Sequence, residues 1–289
     1  MHNMMTRYYK VAGHTFAVSG RTEIFEQMKN YEPFECEGGE PLFSLMEDSG
    51  EVPEYTEVYR QEEEVHIICG YDASGNDVFK FGNSLLLICS KDYREGRVIM
   101  PKCTYRMASY YRLVSNDALK MMYALATAEK DTLCIHAAVV SCGGKGYLFL
   151  GPSGTGKSTH AQLWLKHFEG TELVNDDNPV VRDGIVYGSP WSGKTPCYRN
   201  VSVPIGGIVS LSQAPYNRIH RISGIEAYLT LYCRDFISCH GYPIPENIAE
   251  GMHQTKDKLA QTIPMWQLEC LPDEEAARMC HDTITNQGI

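Results

Sequence analysis

The sequence contains no run of eighteen apolar residues, and residues 1–10 lack the hydrophobic stretch of a signal peptide. Positive charge is also scarce, because 26 Lys and Arg face 36 Asp and Glu, which gives a formal net charge of −10. A general nucleic-acid-binding protein needs a surplus of Lys and Arg to displace counterions from phosphates. We therefore expect a cytoplasmic protein that neither spans a membrane nor binds nucleic acid.

The cysteines do not have the spacing of a disulfide framework or a metal site. They number eleven, which is odd, and no Cys-x-x-Cys pair occurs. Most lie in apolar stretches, as Cys69 and Cys89 do, which is typical of reduced core cysteines. The nearest approach to a metal cluster matches no zinc template; it consists of Cys233, Cys239, His240, Cys280 and His281.

The 289-residue chain is 43% apolar, which is enough to form a substantial core. Residues 1–110 contain short alternating segments separated by turn residues, and this pattern predicts a β-rich N-terminal region. The predicted strands cover residues 8–11, 15–18, 57–59, 65–69, 78–81 and 84–89.

Residues 111–289 show mixed helical and strand periodicity, which predicts an α/β domain. A helix is expected over 115–130, strands over 133–140 and 147–150, a helix over 158–168 and a strand over 171–175. A strand over 205–211, helices over 224–236 and 246–261, a strand over 264–271 and a helix over 272–283 complete the prediction.

One motif carries specific chemistry. The segment Gly151-Pro-Ser-Gly-Thr-Gly-Lys-Ser-Thr159 fits the Walker A pattern, and it lies between an apolar strand and an amphipathic helix, as that pattern requires. Its glycines let backbone N–H groups point at phosphate oxygens, and the following helix adds its positive dipole end. The residues expected to bind ATP are Gly151, Ser153, Gly154, Thr155, Gly156, Lys157, Ser158 and Thr159.

Two residues of this motif have separate roles in the prediction. Lys157 places its ammonium against the β- and γ-phosphates, and the Ser158 hydroxyl binds Mg²⁺. Magnesium in such a site also needs a carboxylate at the end of a neighbouring strand, and Asp176 and Asp177 follow the apolar Leu173-Val174. One carboxylate would hold the metal while the other accepts the proton of the attacking hydroxyl. A structural role, in which one caps a turn and the other faces water, stays open.

The loop, the acidic pair and His136 on the preceding strand together resemble HPr kinase/phosphorylase and the ATP-dependent phosphoenolpyruvate carboxykinases. The resemblance covers residues 133–211. It implies an α/β fold with a phosphoenolpyruvate carboxykinase/HPr kinase-like nucleotide-binding core. By position, it makes Asp176 the catalytic base, Asp177 the Mg²⁺ ligand with Ser158, and His136 the partner of the carboxylate. Without the resemblance, His136 would be read as a core histidine.

Downstream, a turn-rich loop over residues 188–196 is followed by Tyr198-Arg199. Arg199, as a further catalytic residue, or Lys194 can neutralise charge on the transferring phosphoryl group. Both also fit the description of surface cations on a solvated loop.

The chain departs from the family pattern in two places. HPr kinases have Glu after the serine of the loop, whereas this chain has Thr159-His160. Their signature after the acidic pair is reduced here to Arg199 followed by Gly206-Gly207-Ile208. HPr is therefore not the expected substrate, and the chain is too short for carboxykinase decarboxylation.

The sequence thus predicts an ATP- and Mg²⁺-dependent kinase that transfers the γ-phosphoryl group to a hydroxyl. The acceptor is a serine of a protein or peptide, or a small metabolite. Two alternatives stay open, a small carboxykinase-like enzyme and a nucleotide-sensing binding module. The oligomeric state is also open, with a homo-oligomer among the options.

Overall fold

The computed structural model describes residues 4–48, 50–61, 67–82, 85–99, 114–232, 234–238 and 241–285. The chain divides into two compact units, Met1–Ala128 with His240–Ile248, and Glu129–Cys239 with Ala249–Ile289. The predicted boundary between residues 110 and 111 lies outside the described residues. Each unit contains a large mixed sheet with helices, so the fold is mixed α/β.

The first unit is built on a sheet with strand order β3-β1-β2-β4-β9-β8-β7-β6-β5. Its pairings are antiparallel except for β2 with β4 and β4 with β9. The strands are β1 (Met4–Val11), β2 (His14–Arg21), β3 (Glu35–Cys36), β4 (Phe43–Asp48), β5 (Tyr55–Gln61), β6 (Ile67–Asp72), β7 (Asp77–Phe81), β8 (Leu85–Cys89) and β9 (Glu95–Ile99).

The six strands predicted for this region coincide with β1, β2 and β5 to β8, except that the predicted starts at residues 65 and 84 lie outside the described ranges. β3, β4 and β9 were not predicted. The sheet is covered by buried aromatic rings, of which Phe16 and Phe43 stack with centroids 5.0 Å apart. Tyr123 meets both rings edge-on and donates its hydroxyl to the Val11 carbonyl.

The second unit has the strand order β10-β14-β15-β16-β12-β11-β13, with β18 beside β16 and β17 beside β18. Its strands are β10 (Thr132–Cys134), β11 (Ala137–Cys142), β12 (Lys145–Leu150), β13 (Glu172–Asn175), β14 (Val180–Arg182), β15 (Ile185–Tyr187), β16 (Ser202–Gln213), β17 (Arg218–Ile222) and β18 (Met265–Cys270). β12, β16 and β18 run parallel, whereas β11 is antiparallel to both β12 and β13.

The helices of the described residues are α1 (Thr22–Gln27), α2 (Leu119–Thr127), α3 (Lys157–His167), α4 (Gly224–Tyr232), α5 (Glu246–Thr262) and α6 (Glu274–Thr285). A 3-10 helix (Lys29–Phe34) and a π-helical turn (Val114–Ala118) accompany them. In the second unit α3 buries Ala161 and Trp164 against Phe149 of β12, together with Ala277 and Cys280 of α6. No helix in the described ranges is both long and apolar enough to cross a membrane.

The direction of the strands brings three chain segments to one edge of the second sheet. Because β11 is antiparallel to its two neighbours, the carboxyl ends of β12 and β13 meet the amino end of β11 there. The carboxyl ends of β16 and β18 reach the same edge, since both are parallel to β12. Functional residues placed at these strand ends are therefore neighbours in space.

Two predicted elements are wrong in their extent. The single strand expected over residues 133–140 is two strands, β10 and β11, because β10 pairs with β14 while β11 pairs with β12. The helix expected over 224–236 ends at Tyr232, because the next residues pair with the chain between these strands. Asp235 forms a bridge to Ile135, and the Phe236 N–H donates to the Cys134 carbonyl.

Candidate active site

The glycine-rich loop connects β12 to α3 at the edge where the strand ends meet. Gly156, immediately before α3, has a φ of 99°, and Gly151 has a φ of 155°. A Cβ at Gly151 would lie 2.5 Å from Thr155 Oγ1 and 3.1 Å from the Leu211 carbonyl oxygen. The loop therefore needs glycine at both of its ends, for conformation at Gly156 and also for space at Gly151.

Lys157 opens α3 and turns its amine onto the loop. Its Nζ donates to the carbonyls of Gly151 at 2.9 Å and Pro152 at 3.1 Å, and only 7% of the residue is exposed. Burial lowers the pKa of this amine, the Asp177 carboxylate raises it, and the Arg234 guanidinium lowers it. Asp177 and Arg234 therefore both act electrostatically on the ammonium.

Asp176 is buried and both of its oxygens accept hydrogen bonds from the loop after β15. Oδ1 accepts from the Gly193 N–H and the Ser192 hydroxyl, each at 2.8 Å, and Oδ2 accepts from the Thr195 N–H at 2.9 Å. This carboxylate therefore anchors the loop that carries Lys194. It directly follows the carboxyl end of β13, but its accepting atoms are engaged with the protein.

The Asp177 side chain contacts His136, the partner that the family resemblance implied for the carboxylate. Its Oδ1 lies 3.2 Å from His136 Nδ1, and its Oδ2 accepts from Asn178 Nδ2 at 2.5 Å. About a third of each side chain in the His136–Asp177 pair is exposed, so the pair is open to a ligand. The structure brings together the glycine-rich loop, Lys157, Asp177 and His136.

A turn that sequence reasoning missed fixes Asp177 in this position. Asn175, which is fully buried, accepts the N–H groups of Asp177 and Asn178 on its Oδ1, both at 2.9 Å. Its Nδ2 donates to Ser189 Oγ and to the Trp191 carbonyl. This arrangement is an Asx-type turn, and the Asn in the Asn-Asp-Asp run was the signal that could have indicated it.

Arg199 is not among the groups at the loop. It donates to Glu172 Oε2 at 2.6 Å and to the Leu173 carbonyl at 2.8 Å, at the amino end of β13. The glycine-rich loop lies at the opposite end of this strand, about 10 Å further along. Its guanidinium is therefore engaged in contacts within the protein, and the catalytic role suggested by the sequence stays a prediction.

Arg234 is a second arginine, and its charge acts on Lys157. Its carbonyl accepts the His136 N–H at 2.6 Å, and its Nε is buried without a hydrogen-bond partner. A buried guanidinium N–H with no hydrogen-bond partner fits an anionic ligand. Sequence reasoning placed Arg234 inside a helix, and no local pattern marks it.

A buried ion pair holds the chain next to Arg234. Lys256 Nζ lies 2.7 Å from Asp235 Oδ2, and these side chains are 1% and 3% exposed. Lys256 also donates to the Tyr232 carbonyl and to Ser238 Oγ, while Asp235 Oδ1 accepts the N–H groups of Ile237 and Ser238. The segment that carries Arg234 is thus fixed on both sides.

The oxygen ligands available for Mg²⁺ are few and match its chemistry. Ser158 follows Lys157 on α3, and the Asp177 carboxylate acts electrostatically on that lysine. Magnesium is usually bound by one or two protein oxygens and completes its shell with water and substrate phosphates. In the described ranges no group of three or more His, Cys, Asp or Glu is arranged to hold a metal.

Of the Cys and His set noted in the sequence, only Cys280 and His281 are among the described residues. Cys233, Cys239 and His240 lie outside the described residues. Cys280 is buried in the core of the second unit, and His281 stacks on Phe168 at 3.9 Å.

Comparison of the chain with protein-family models gave no match, and a search of curated proteins gave none either. Function is therefore inferred from the geometry of this sheet edge.

Proposed function

We propose that the protein is an ATP- and Mg²⁺-dependent phosphotransferase that moves the γ-phosphoryl group to an acceptor hydroxyl. The observation that carries this proposal is the meeting of the glycine-rich loop, Lys157 and the His136–Asp177 pair at one sheet edge. A phosphate cradle, an ammonium and a proton acceptor are the parts that phosphoryl transfer requires. The resemblance to HPr kinase and the carboxykinases belongs to the same proposal.

The loop and α3 would bind the polyphosphate. Backbone N–H groups of the loop and the amino end of α3 attract the phosphate oxygens. Lys157 would then donate to these oxygens in place of the Gly151 and Pro152 carbonyls. Arg234 would supply a second cation, since its buried Nε has no hydrogen-bond partner. Ser158 and Asp177 would hold Mg²⁺, which neutralises charge on the phosphates when bound.

The proton of the acceptor hydroxyl would go to the His136–Asp177 pair. In this proposal His136 donates its Nδ1–H to Asp177 Oδ1, which leaves Nε2 as the ring atom that can accept a proton. As the hydroxyl loses its proton to Nε2, its oxygen bonds to the γ-phosphorus. The bond from that phosphorus to the bridging oxygen breaks, and ADP leaves with the electron pair. Asp176, whose oxygens are occupied, has a positioning role in this proposal rather than the role of base.

A cytoplasmic location is part of the proposal. The cysteines of the described residues are all free thiols, and reduced cysteines are typical of a compartment with a reducing environment. ATP is also the phosphoryl donor expected in that compartment.

The proposal is tested by incubating the protein with Mg²⁺, γ-labelled ATP and a heat-treated cell extract. We expect label in an acid-stable product, and none with Lys157→Met or without Mg²⁺. Tight Mg–ATP binding with no label in any extract fraction would contradict the kinase and favour a nucleotide-sensing module. Absence of Mg–ATP binding by calorimetry would overturn both.

A further inference from the structure

A cavity of about 240 Å³ adjoins the glycine-rich loop on the side away from Asp177. Its walls come from the loop, from α3, and from the carboxyl ends of β16 and β18. Gly154, Thr155 and Gly156 contribute from the loop, and Thr159 contributes from the first turn of α3. The cavity is therefore continuous with the proposed phosphate site.

The order of the strands determines which way a bound nucleotide extends. Asp177 follows β13, which lies two strands from β12 on one side, while β16 and β18 lie on the other side of β12. The γ-phosphate has to face Asp177, His136 and Arg234 if transfer is to occur. With the γ-phosphate on the β13 side, the nucleoside leaves the loop towards β16 and β18, where the cavity lies.

The cavity has the lining expected for a planar, partly polar group. Leu163, Leu211 and Leu271 give apolar contact, and Leu271 is 39% exposed at the end of β18. Gln213 and His160 add polar atoms to the same wall. Mainly apolar walls with a few directional polar groups are typical of sites for small molecules.

His160 supplies a donor rather than a charge. Trp164 Nε1 donates to His160 Nε2 at 3.2 Å, and the neutral ring therefore carries its proton on Nδ1.

The amide of Gln213 is oriented by the loop. Its Nε2 donates to the Gly154 carbonyl at 3.1 Å, so its Oε1 is the atom that can accept from a ligand. The exocyclic amino group of adenine is a donor, whereas guanine has the O6 acceptor at that position. An oriented Gln side chain thus favours adenine over guanine.

We propose that this cavity binds the base of the nucleotide and that Gln213 makes the site prefer adenine. The inference rests on the proposed function, because a base reaches the cavity only if the loop holds the phosphates. It adds the residues that select ATP over GTP as the donor.

The test compares the binding of Mg–ATP, Mg–GTP and Mg–tripolyphosphate by calorimetry. The wild-type protein is expected to bind Mg–ATP about tenfold more tightly than either of the others.

Leu163→Trp fills the cavity. It should weaken the binding of Mg–ATP about tenfold while leaving the binding of Mg–tripolyphosphate unchanged. Gln213→Leu should bring the ratio of the affinities for Mg–ATP and Mg–GTP close to one. Gln213 is exposed, so this change needs no rearrangement of the core. Gln162→Leu, an exposed change on the outer side of α3, is the matched control.

The outcomes separate this inference from the proposed function. Tripolyphosphate binding equal to that of ATP in the wild type would overturn the base site, as would Leu163→Trp with unchanged ATP affinity. Equal binding of GTP and ATP by the wild type, or a ratio that Gln213→Leu does not alter, would overturn the adenine preference. Failure of all three ligands to bind would overturn the proposed function itself.

Discussion

His136 Nδ1 lies 3.2 Å from Asp177 Oδ1, although 41 positions separate the two residues in the chain. Each residue is fixed by backbone bonds to the segment opposite. The His136 N–H donates to the Arg234 carbonyl, and the Ala137 N–H donates to the Asp177 carbonyl at 3.0 Å. The pair is therefore a consequence of strand register, since β11 begins where β13 ends.

The first prediction concerns this pair. Asp177→Asn and His136→Gln should each lower phosphoryl transfer about a hundredfold or more, because the proton acceptor is lost or misoriented. Since both residues act in one step, the double variant should lose little beyond the more damaging single change. Initial rates of label transfer from ATP measure the effect, and calorimetry with Mg–ATP checks that the site is intact. Multiplicative losses in the double variant would show that the two residues act independently.

The second prediction separates two arginines. Arg234→Gln should lower the transfer rate about a hundredfold, because it removes a cation from the phosphate site and lets the pKa of Lys157 rise. Arg199→Gln should leave the rate close to that of the wild type, because its guanidinium contacts Glu172 and Leu173. The same label-transfer assay reports both. A larger loss for Arg199→Gln than for Arg234→Gln would reverse our assignment.

Residues of the site could be predicted where they belong to a pattern of neighbouring residues in the sequence. The glycine-rich loop, α3 and the two aspartates lie within contiguous patterns of apolar and turn residues, and sequence reasoning identified them. Arg234 could not be found in this way. Its place depends on pairing between residues 234–236 and 134–136, which are a hundred positions apart.

The same distinction applies to the fold. Strands such as β8, which is uniformly apolar, were predicted, but β9 begins with glutamate, glycine and arginine and carries no strong apolar pattern. The break between β10 and β11 is also invisible locally, because residues 133–140 are almost continuously apolar. These residues form two strands only because β10 pairs with β14 and β11 pairs with β12.

The third prediction concerns Asp176 as an anchor. Asp176→Ala removes the acceptor of three hydrogen bonds and should lower the free energy of unfolding by about 2–3 kcal/mol. All three tryptophans, Trp164, Trp191 and Trp266, belong to the second unit, so tryptophan fluorescence during urea unfolding reports on that unit.

Asp282→Ala is the matched control for Asp176→Ala, because its side chain is 69% exposed. Equal urea midpoints for the two variants would show that Asp176 does not hold the loop. A loss of transfer at Asp176→Ala with an unchanged midpoint would instead return Asp176 to the role of base.

The fourth prediction compares two lysines of α5. Lys256→Met leaves the Asp235 carboxylate buried without its cation and should cost about 3–5 kcal/mol of stability. Lys258→Met, two residues further on, should change the urea midpoint little, because Lys258 is half exposed in its pairs with Asp131 and Asp183. Similar midpoints for the two variants would contradict a structural role for the buried pair.

The fifth prediction is a pH dependence of stability that comes from His160. Its pKa in the folded protein is lowered from 6.5 to about 4 by burial. Between these values the unfolded chain holds more protons than the folded one, so the free energy of unfolding rises with pH through this window. The contribution, about 3 kcal/mol, is complete above pH 6.5 and is lost as the pH falls towards 4.

The measurement is the urea midpoint, from tryptophan fluorescence, at several values of pH from 4.5 to about 7.5. His160→Asn keeps an acceptor for Trp164 but cannot titrate, so its stability should fall less steeply with acid than that of the wild type. His220→Asn, at an exposed position of β17, should retain the wild-type slope. Carboxylates titrate in all three proteins and cancel in the comparison. An identical slope for His160→Asn and the wild type would mean that the buried ring is already accessible to protons, and the neutral donor assigned to the base cavity would be lost with it.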